Sequence, residues 1–229
     1  QSIFYSGIVG WILLLSFVLL QGWSTVPLIL FAGNPAAWTL TVEFFFYAFH
    51  PFAQRLLAMF TVRRTLIAAA LVVAIAWAYR GSAWLFAGTW WADLPAPIQH
   101  TPEFLLGMCL AWAFRSGWRP RVPFWLGLTL LAVVVVAIAI VPAALSGSLA
   151  AELTIRFGNE AFSLACAVLI VAIVASGLAG RRSIFGDRIQ VRLGEWSFAF
   201  YLVHATVIYG AMWIWPALQP SWNNILPAT

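Results

Sequence analysis

Lysine is missing from this 229-residue chain, and charge of either sign is scarce. Only 8% of residues are charged, against about 25% in soluble domains, and residues 1–42 carry no charged side chain at all. That shortage excludes a water-soluble globule. Cysteine is nearly absent too. Cys109 and Cys166 each lie in an apolar run, read as small packing residues, and say nothing about redox compartment. Walker loops, GxGxxG fingerprints, HExxH, CxxC and GxSxG are absent, so neither a nucleotide loop nor a metal site is argued from motifs. No internal repeat announces a transporter with inverted halves. The start of the chain has neither a basic n-region nor a small-residue cleavage site, so residues 1–20 are not read as a signal peptide.

What fills the chain is apolar surface: 63% hydrophobic residues and a mean hydropathy of +0.93. Backbone groups in lipid must satisfy one another, so only helices or closed barrels cross a bilayer. Barrel strands alternate, and runs such as FWLGLTLLAVVVVAIAIV (124–141) do not. The fold class is therefore an all-α membrane protein, a polytopic bundle forming a single integral-membrane domain. Seven spans are expected, at 3–20, 37–54, 65–80, 102–114, 122–141, 161–179 and 194–214. Their lengths bracket the roughly 20 residues that a bilayer core requires.

All twelve basic residues are arginine, and their distribution sets a topology. Connections 55–64, 115–121 and 180–193 hold ten of them, whereas the intervening connections hold only Arg80 and Arg156. By the positive-inside rule, Gln1 faces the cytoplasm and Asn34 and Thr229 face outward. This predicts that a cysteine replacing Ser82 is labelled from outside and one replacing Ser183 only from inside. The basic isoelectric point, near 9.9, then reports topology and anionic lipid headgroups, not nucleic acid.

Within this apolar background the stretch NPAAWTLTVEFFFYAFHP (34–51) is anomalous. At helical spacing Thr39, Glu43, Tyr47 and His50 share one face. An acid in hydrocarbon costs about 2.5–3.5 kcal/mol on insertion scales, so this stripe is expected to face a bundle interior or cavity. Pro51 removes a backbone hydrogen bond and is expected to kink the helix. A second stripe, Gly194, Ser197, Tyr201 and His204, lies in the last span. A lone buried histidine is usually a satisfied core residue, but buried polar groups seek partners, so with two such stripes in one bundle both readings of His204, core residue and member of a shared site, stay open.

The remaining features have plainer readings. Trp84, Trp90 and Trp91 in the connection 81–101 form an interfacial aromatic belt, or else a surface on which a sugar ring stacks. His100 is a solvated loop residue. Thr101-Pro102-Glu103 opens a helix, with the acid suited to the macrodipole. Gly107 and Ala111, one turn apart, make a small-residue face for close helix packing. Residues 21–36 form a membrane-hugging connection. Connection 142–160 carries Glu152, Arg156 and Glu160, spaced like solvated helical pairs.

Three stretches together resemble the acyltransferase-3 family of multi-pass membrane O-acyltransferases. One is Trp38-Thr39-Leu40-Thr41-Val42-Glu43 with Phe46-Tyr47 and Pro51 after it. The second is 102–108, PEFLLGM, and the third is Leu193-Gly194, Ser197-Phe198, Tyr201-Leu202 and His204. The resemblance implies transfer of an acyl group, commonly acetyl, from cytoplasmic acyl-CoA to a hydroxyl of a cell-envelope glycan or similar acceptor, in a bacterial inner membrane. It also implies about ten spans, with a catalytic histidine in a first helix and an arginine motif near the second. Neither is among these residues, and an inward Gln1 with two earlier helices and one later one would complete ten. A chain incomplete at both ends, and inactive alone, is therefore expected.

On this reading Glu43 and His204 are the catalytic candidates. Glu43 orients an imidazole, and Trp38, Thr39, Tyr47, Ser197 and Tyr201 bind substrate or the developing oxyanion. Acyl-CoA is the donor co-substrate, its contact residues are open, and no metal is expected. The inner arginines could hold CoA phosphates, although topology already explains them. Two other readings stay open. A transporter or flippase-like bundle would use Glu43 and His204 to relay protons or bind solute. A non-catalytic structural subunit would need no base at all.

Overall fold

The computed structural model describes residues 2–181 and 187–215, and every regular element among them is helical. In chain order these are α1 (Ser2–Phe17), a 3-10 turn (Gln21–Trp23), α2 (Pro27–Leu30), α3 (Trp38–Leu57), α4 (Val62–Leu85) and α5 (Ala96–Gln99). They are followed by α6 (Thr101–Arg115), α7 (Phe124–Ala144), α8 (Leu149–Leu178) and α9 (Arg188–Ile214). The seven long helices fall where seven spans were expected. Among the described residues four of them, α4, α7, α8 and α9, are both long and apolar enough to cross a membrane. At 16 and 15 residues α1 and α6 are short. Glu43, His50, Gln54 and Arg55 dilute the hydrophobicity of α3.

The exterior carries large apolar side chains: Phe17 is 87% exposed, Trp213 83% and Leu28 72%. The buried positions are small, with Ala113 and Ala172 fully buried and Cys109 and Thr65 nearly so. Small inside and large outside is the pattern of helices in lipid, where apolar surface need not hide from solvent and close backbone approach carries the packing. The protein is multi-pass.

The chain divides into two compact units, one of residues 1–41 and 187–229 and the other of residues 42–186. In the first, the turn after α1 folds back on the start of α3. Gly22 N–H donates to Thr41 Oγ1 at 3.2 Å, and Gln21 Nε2 donates to Ala37 O at 3.2 Å. A Cβ on Gly22 would sit 2.7 Å from Thr41 Cβ, so only glycine allows this approach. Asn34 ends the connection: its Oδ1 accepts from Ala36 N–H at 3.0 Å and its Nδ2 donates to Leu202 O of α9 at 2.8 Å. Residues 21–36 thus fold against the start of α3 and bond to α9, with α2 too short to cross.

In the second unit α4 packs on α6 and α8, and α7 lies along α8. The α7–α8 pair is held in register at two glycines. A Cβ on Gly127 would lie 2.6 Å from Leu169 Cα, and one on Gly158 would lie 3.1 Å from Ile138 Cγ1. Gly127 opposes Leu169 as Ile138 opposes Gly158, an antiparallel register. Gly107 has no non-local heavy atom within 4 Å of its would-be Cβ. The expected packing face at Gly107 and Ala111 is therefore corrected: close approach occurs at Gly127 and Gly158.

Connection 142–160 also differs from expectation. α7 runs to Ala144, and Ser148 caps α8 by accepting from Ala151 N–H at 3.2 Å, which leaves a four-residue link. Helix continues through the polar turn because its charges find partners. Arg156 pairs with Glu152 at 2.5 Å, and Arg80 Nε of α4 donates to Glu160 Oε1 at 2.6 Å. Glu160 is buried, not solvated. Arg156 also stacks its guanidinium 3.7 Å over Trp84, so that ring face is covered and cannot stack on a sugar. Trp91 Nε1 donates to Ser82 Oγ at 2.9 Å, which ties the loop to α4. Ser82 is therefore helical, and Ser183 lies outside the described residues.

Candidate functional site

The polar stripe expected on α3 does not form a buried face. The contacts of this helix in the second unit lie one position over, at Val42, Phe46, Ala53 and Leu57, which share a side at helical spacing. Phe46 stacks on Phe104 of α6, with ring centroids 4.4 Å apart. The stripe is left on the flank. Glu43 is half-buried, Tyr47 is 71% exposed, and His50 is exposed with its ring edge-on to Phe104. The helix runs on through Pro51. Thr39 donates from Oγ1 to Ala36 O at 3.0 Å, closing its own first turn.

The second stripe fares differently. In the first unit a hollow of about 430 Å³ is lined by Pro35, Ala36, Trp38, Tyr201, His204 and Ile208, among others. Three of the expected site residues, Trp38, Tyr201 and His204, thus meet in one place. α9 holds Tyr201 and His204 one turn apart, while the Asn34 amide on Leu202 O anchors the segment that carries Pro35, Ala36 and Trp38. His204 is half-buried, and its Nδ1 lies against the carbonyl oxygen of Tyr201. A carbonyl only accepts, so Nδ1 carries the proton of that contact; in the neutral tautomer with that proton, Nε2 keeps a lone pair. Among the described residues no carboxylate or arginine lines the hollow. Its chemistry is an imidazole acceptor, a phenol and an indole in an apolar setting.

Ser197 stays out of this hollow; its hydroxyl donates to Gly194 O at 2.6 Å. The α9 stripe runs from Tyr201 toward Ile208 and Met212, not back toward Gly194. Ile208 and Met212 were reachable by extending the same spacing, but nothing in the sequence marked Pro35 or Ala36. Glu43 and Tyr47 belong to the second unit. Among the described residues Glu43 has no hydrogen bond or ion pair, and no group of three or more His, Cys, Asp or Glu could hold a metal.

The family model described as an acyltransferase domain matches residues 1–229. The chain belongs to the acyltransferase-3 family. Acyltransferase MdmB from Streptomyces mycarofaciens is 34% identical over 208 aligned positions, covering 84% of this chain and 50% of that protein. The chain thus spans about half the length of this relative. No solved structure gives a significant match. Of the family-like stretches, the one at 38–43 opens α3 across both units, and 102–108 begins α6 with proline in its first turn and Glu103 behind it. The stretch ending at His204 supplies the α9 side of the hollow.

Proposed function

We propose that this chain forms part of a membrane O-acyltransferase that moves an acyl group, acetyl in the simplest case, from cytoplasmic acyl-CoA to a hydroxyl of a cell-envelope glycan or similar acceptor in the bacterial inner membrane. The observation that carries this reading is the hollow where Trp38, Tyr201 and His204 converge in a chain of this family. In the proposed step the acceptor hydroxyl lies against His204 Nε2. Its oxygen attacks the thioester carbonyl as its proton passes to Nε2. The tetrahedral oxyanion collapses, the C–S bond breaks, and CoA leaves as a thiol after taking that proton. The phenol of Tyr201 and the indole N–H of Trp38 donate to substrate or oxyanion. The His204 Nδ1 contact to Tyr201 O fixes the tautomer this step needs. Glu43 is assigned the part of a carboxylate that orients a further imidazole.

The test uses the full-length protein in native membranes, with transfer from radiolabelled acetyl-CoA into a hydroxyl-bearing envelope fraction. His204→Ala is expected to lower transfer by roughly 100-fold or more, as losses of a general base do, with insertion unchanged. Ser197→Ala, which lies outside the hollow, should leave transfer near wild type. Wild-type transfer by His204→Ala would exclude this histidine from the chemistry.

A further inference from the structure

A larger cavity lies in the second unit, and none of the residues given a part in the proposed chemistry lines it. α6 and α8 both pack on α4 but barely touch each other. The groove between them encloses about 730 Å³. Leu106, Leu110, Ile170, Val174 and Leu178 wall it, and Gly107 leaves its floor open. One end carries charge of a single sign, since Arg115 and Arg119 both line it. Arg119 Nη1 donates to Phe114 O at 2.7 Å and Trp118 O at 2.8 Å, which fixes its guanidinium at the mouth where α6 ends. Arg115 sits 5.6 Å over the Trp112 ring. The acid lining the groove among the described residues is Glu103, twelve residues or roughly 18 Å back along α6 from Arg115.

We infer that this groove binds an anionic phospholipid, with an acyl chain along α6 and α8 and the phosphate at Arg115 and Arg119. Three observations favour that occupant. The wall on α8 belongs to a helix long and apolar enough to cross a membrane, which suits it to an acyl chain. The lining is apolar along its length and cationic at one end, which matches a long tail bearing a single anionic head; basic pockets between membrane helices hold such heads. Glu103 at the far end repels a phosphate there and sets the orientation. The inference does not depend on the acyltransferase reading.

The experiment is native mass spectrometry of the full chain purified in mild detergent and exchanged with equal amounts of phosphatidylglycerol and phosphatidylcholine. Wild type should retain phosphatidylglycerol preferentially. The double variant Arg115→Gln/Arg119→Gln should lose that preference by about tenfold or more. Gly107→Leu, which fills the floor, should lose both lipids while keeping the arginines. Equal retention of the two lipids by wild type overturns the inference, as does a preference unchanged in the arginine variant. So does displacement of phosphatidylglycerol by equimolar palmitoyl-CoA, which would assign the groove to an acyl donor. No retained lipid with Gly107→Cys inaccessible to a maleimide overturns it as well, because another segment would then fill the groove.

Discussion

At the scale of single residues, the polar groups differ in how much of their hydrogen-bonding capacity the fold uses. Thr41, Gln21, Asn34 and Ser197 all spend hydrogen-bonding capacity on backbone groups close by in their unit. His204 uses only Nδ1 in this way and keeps Nε2 available. Glu43 is half-buried on a helix flank and makes no hydrogen bond or ion pair among the described residues. A carboxylate retained without a partner in an apolar helix costs stability, so the cost points to use. Glu43→Gln preserves shape and removes the charge. In the full-length protein it is expected to reduce acyl transfer by roughly 100-fold or more while inserting normally, as read by radiolabel transfer alongside membrane fractionation. Wild-type transfer by that variant would remove Glu43 from the site. Tyr201 and His204 were legible as candidates because polar groups at helical spacing stand out in an apolar chain, and Trp38 because it heads a stretch that resembles the family's. Pro35 and Ala36 were not, because lining a hollow depends on what lies opposite.

Among elements, glycine placement decides which helices lie close. Sequence spacing at Gly107 and Ala111 resembles a packing face, yet Gly107 borders the α6–α8 groove and Gly127 meets the backbone of α8 instead. Gly127→Val is expected to destabilise the protein by ~1–3 kcal/mol, since its Cβ would meet the Leu169 main chain, which cannot rotate away. Gly107→Ala should change stability by less than about 1 kcal/mol, with helix propensity in its favour. Thermal unfolding in detergent, followed by tryptophan fluorescence, compares the two; equal losses would mean that Gly127 does not set the register. The longer α8 teaches a related lesson. Glu152, Arg156 and Glu160 read as solvated helical pairs in a connection; the Glu152–Arg156 pair forms, but Glu160 is buried. Pairing with each other and with Arg80, eighty positions away in the chain, lets the helix continue.

For the whole molecule, the arginine asymmetry is the main topological signal, and it can be tested at positions that the helices leave outside their ends. Ala87 follows the end of α4 and Ser116 follows the end of α6; both are exposed. In intact cells Ala87→Cys is expected to react with a membrane-impermeant maleimide. Ser116→Cys should react only after permeabilisation. The reverse pattern would invert the topology and place the arginine end of the α6–α8 groove on the outer face.

Composition and local pattern were enough to establish an all-α membrane protein, the places of its seven long helices, with α8 beginning twelve residues before the expected 161, and the start of α6 at Thr101-Pro102-Glu103. These follow from short-range physics: the cost of charge in lipid, the backbone's need to bond within a helix, and the fit of proline and an acid to a helix's first turn. Tertiary structure alone decided which polar stripe borders a hollow, which glycines bring helices together, and which acid is buried against an arginine. Each depends on the surface that a distant segment presents, and spacing along one helix does not contain that information. Asn34 shows the division at a single side chain. Its place before proline marks the end of a connection, but its bond to Leu202 O, across 168 positions, exists only in the folded chain.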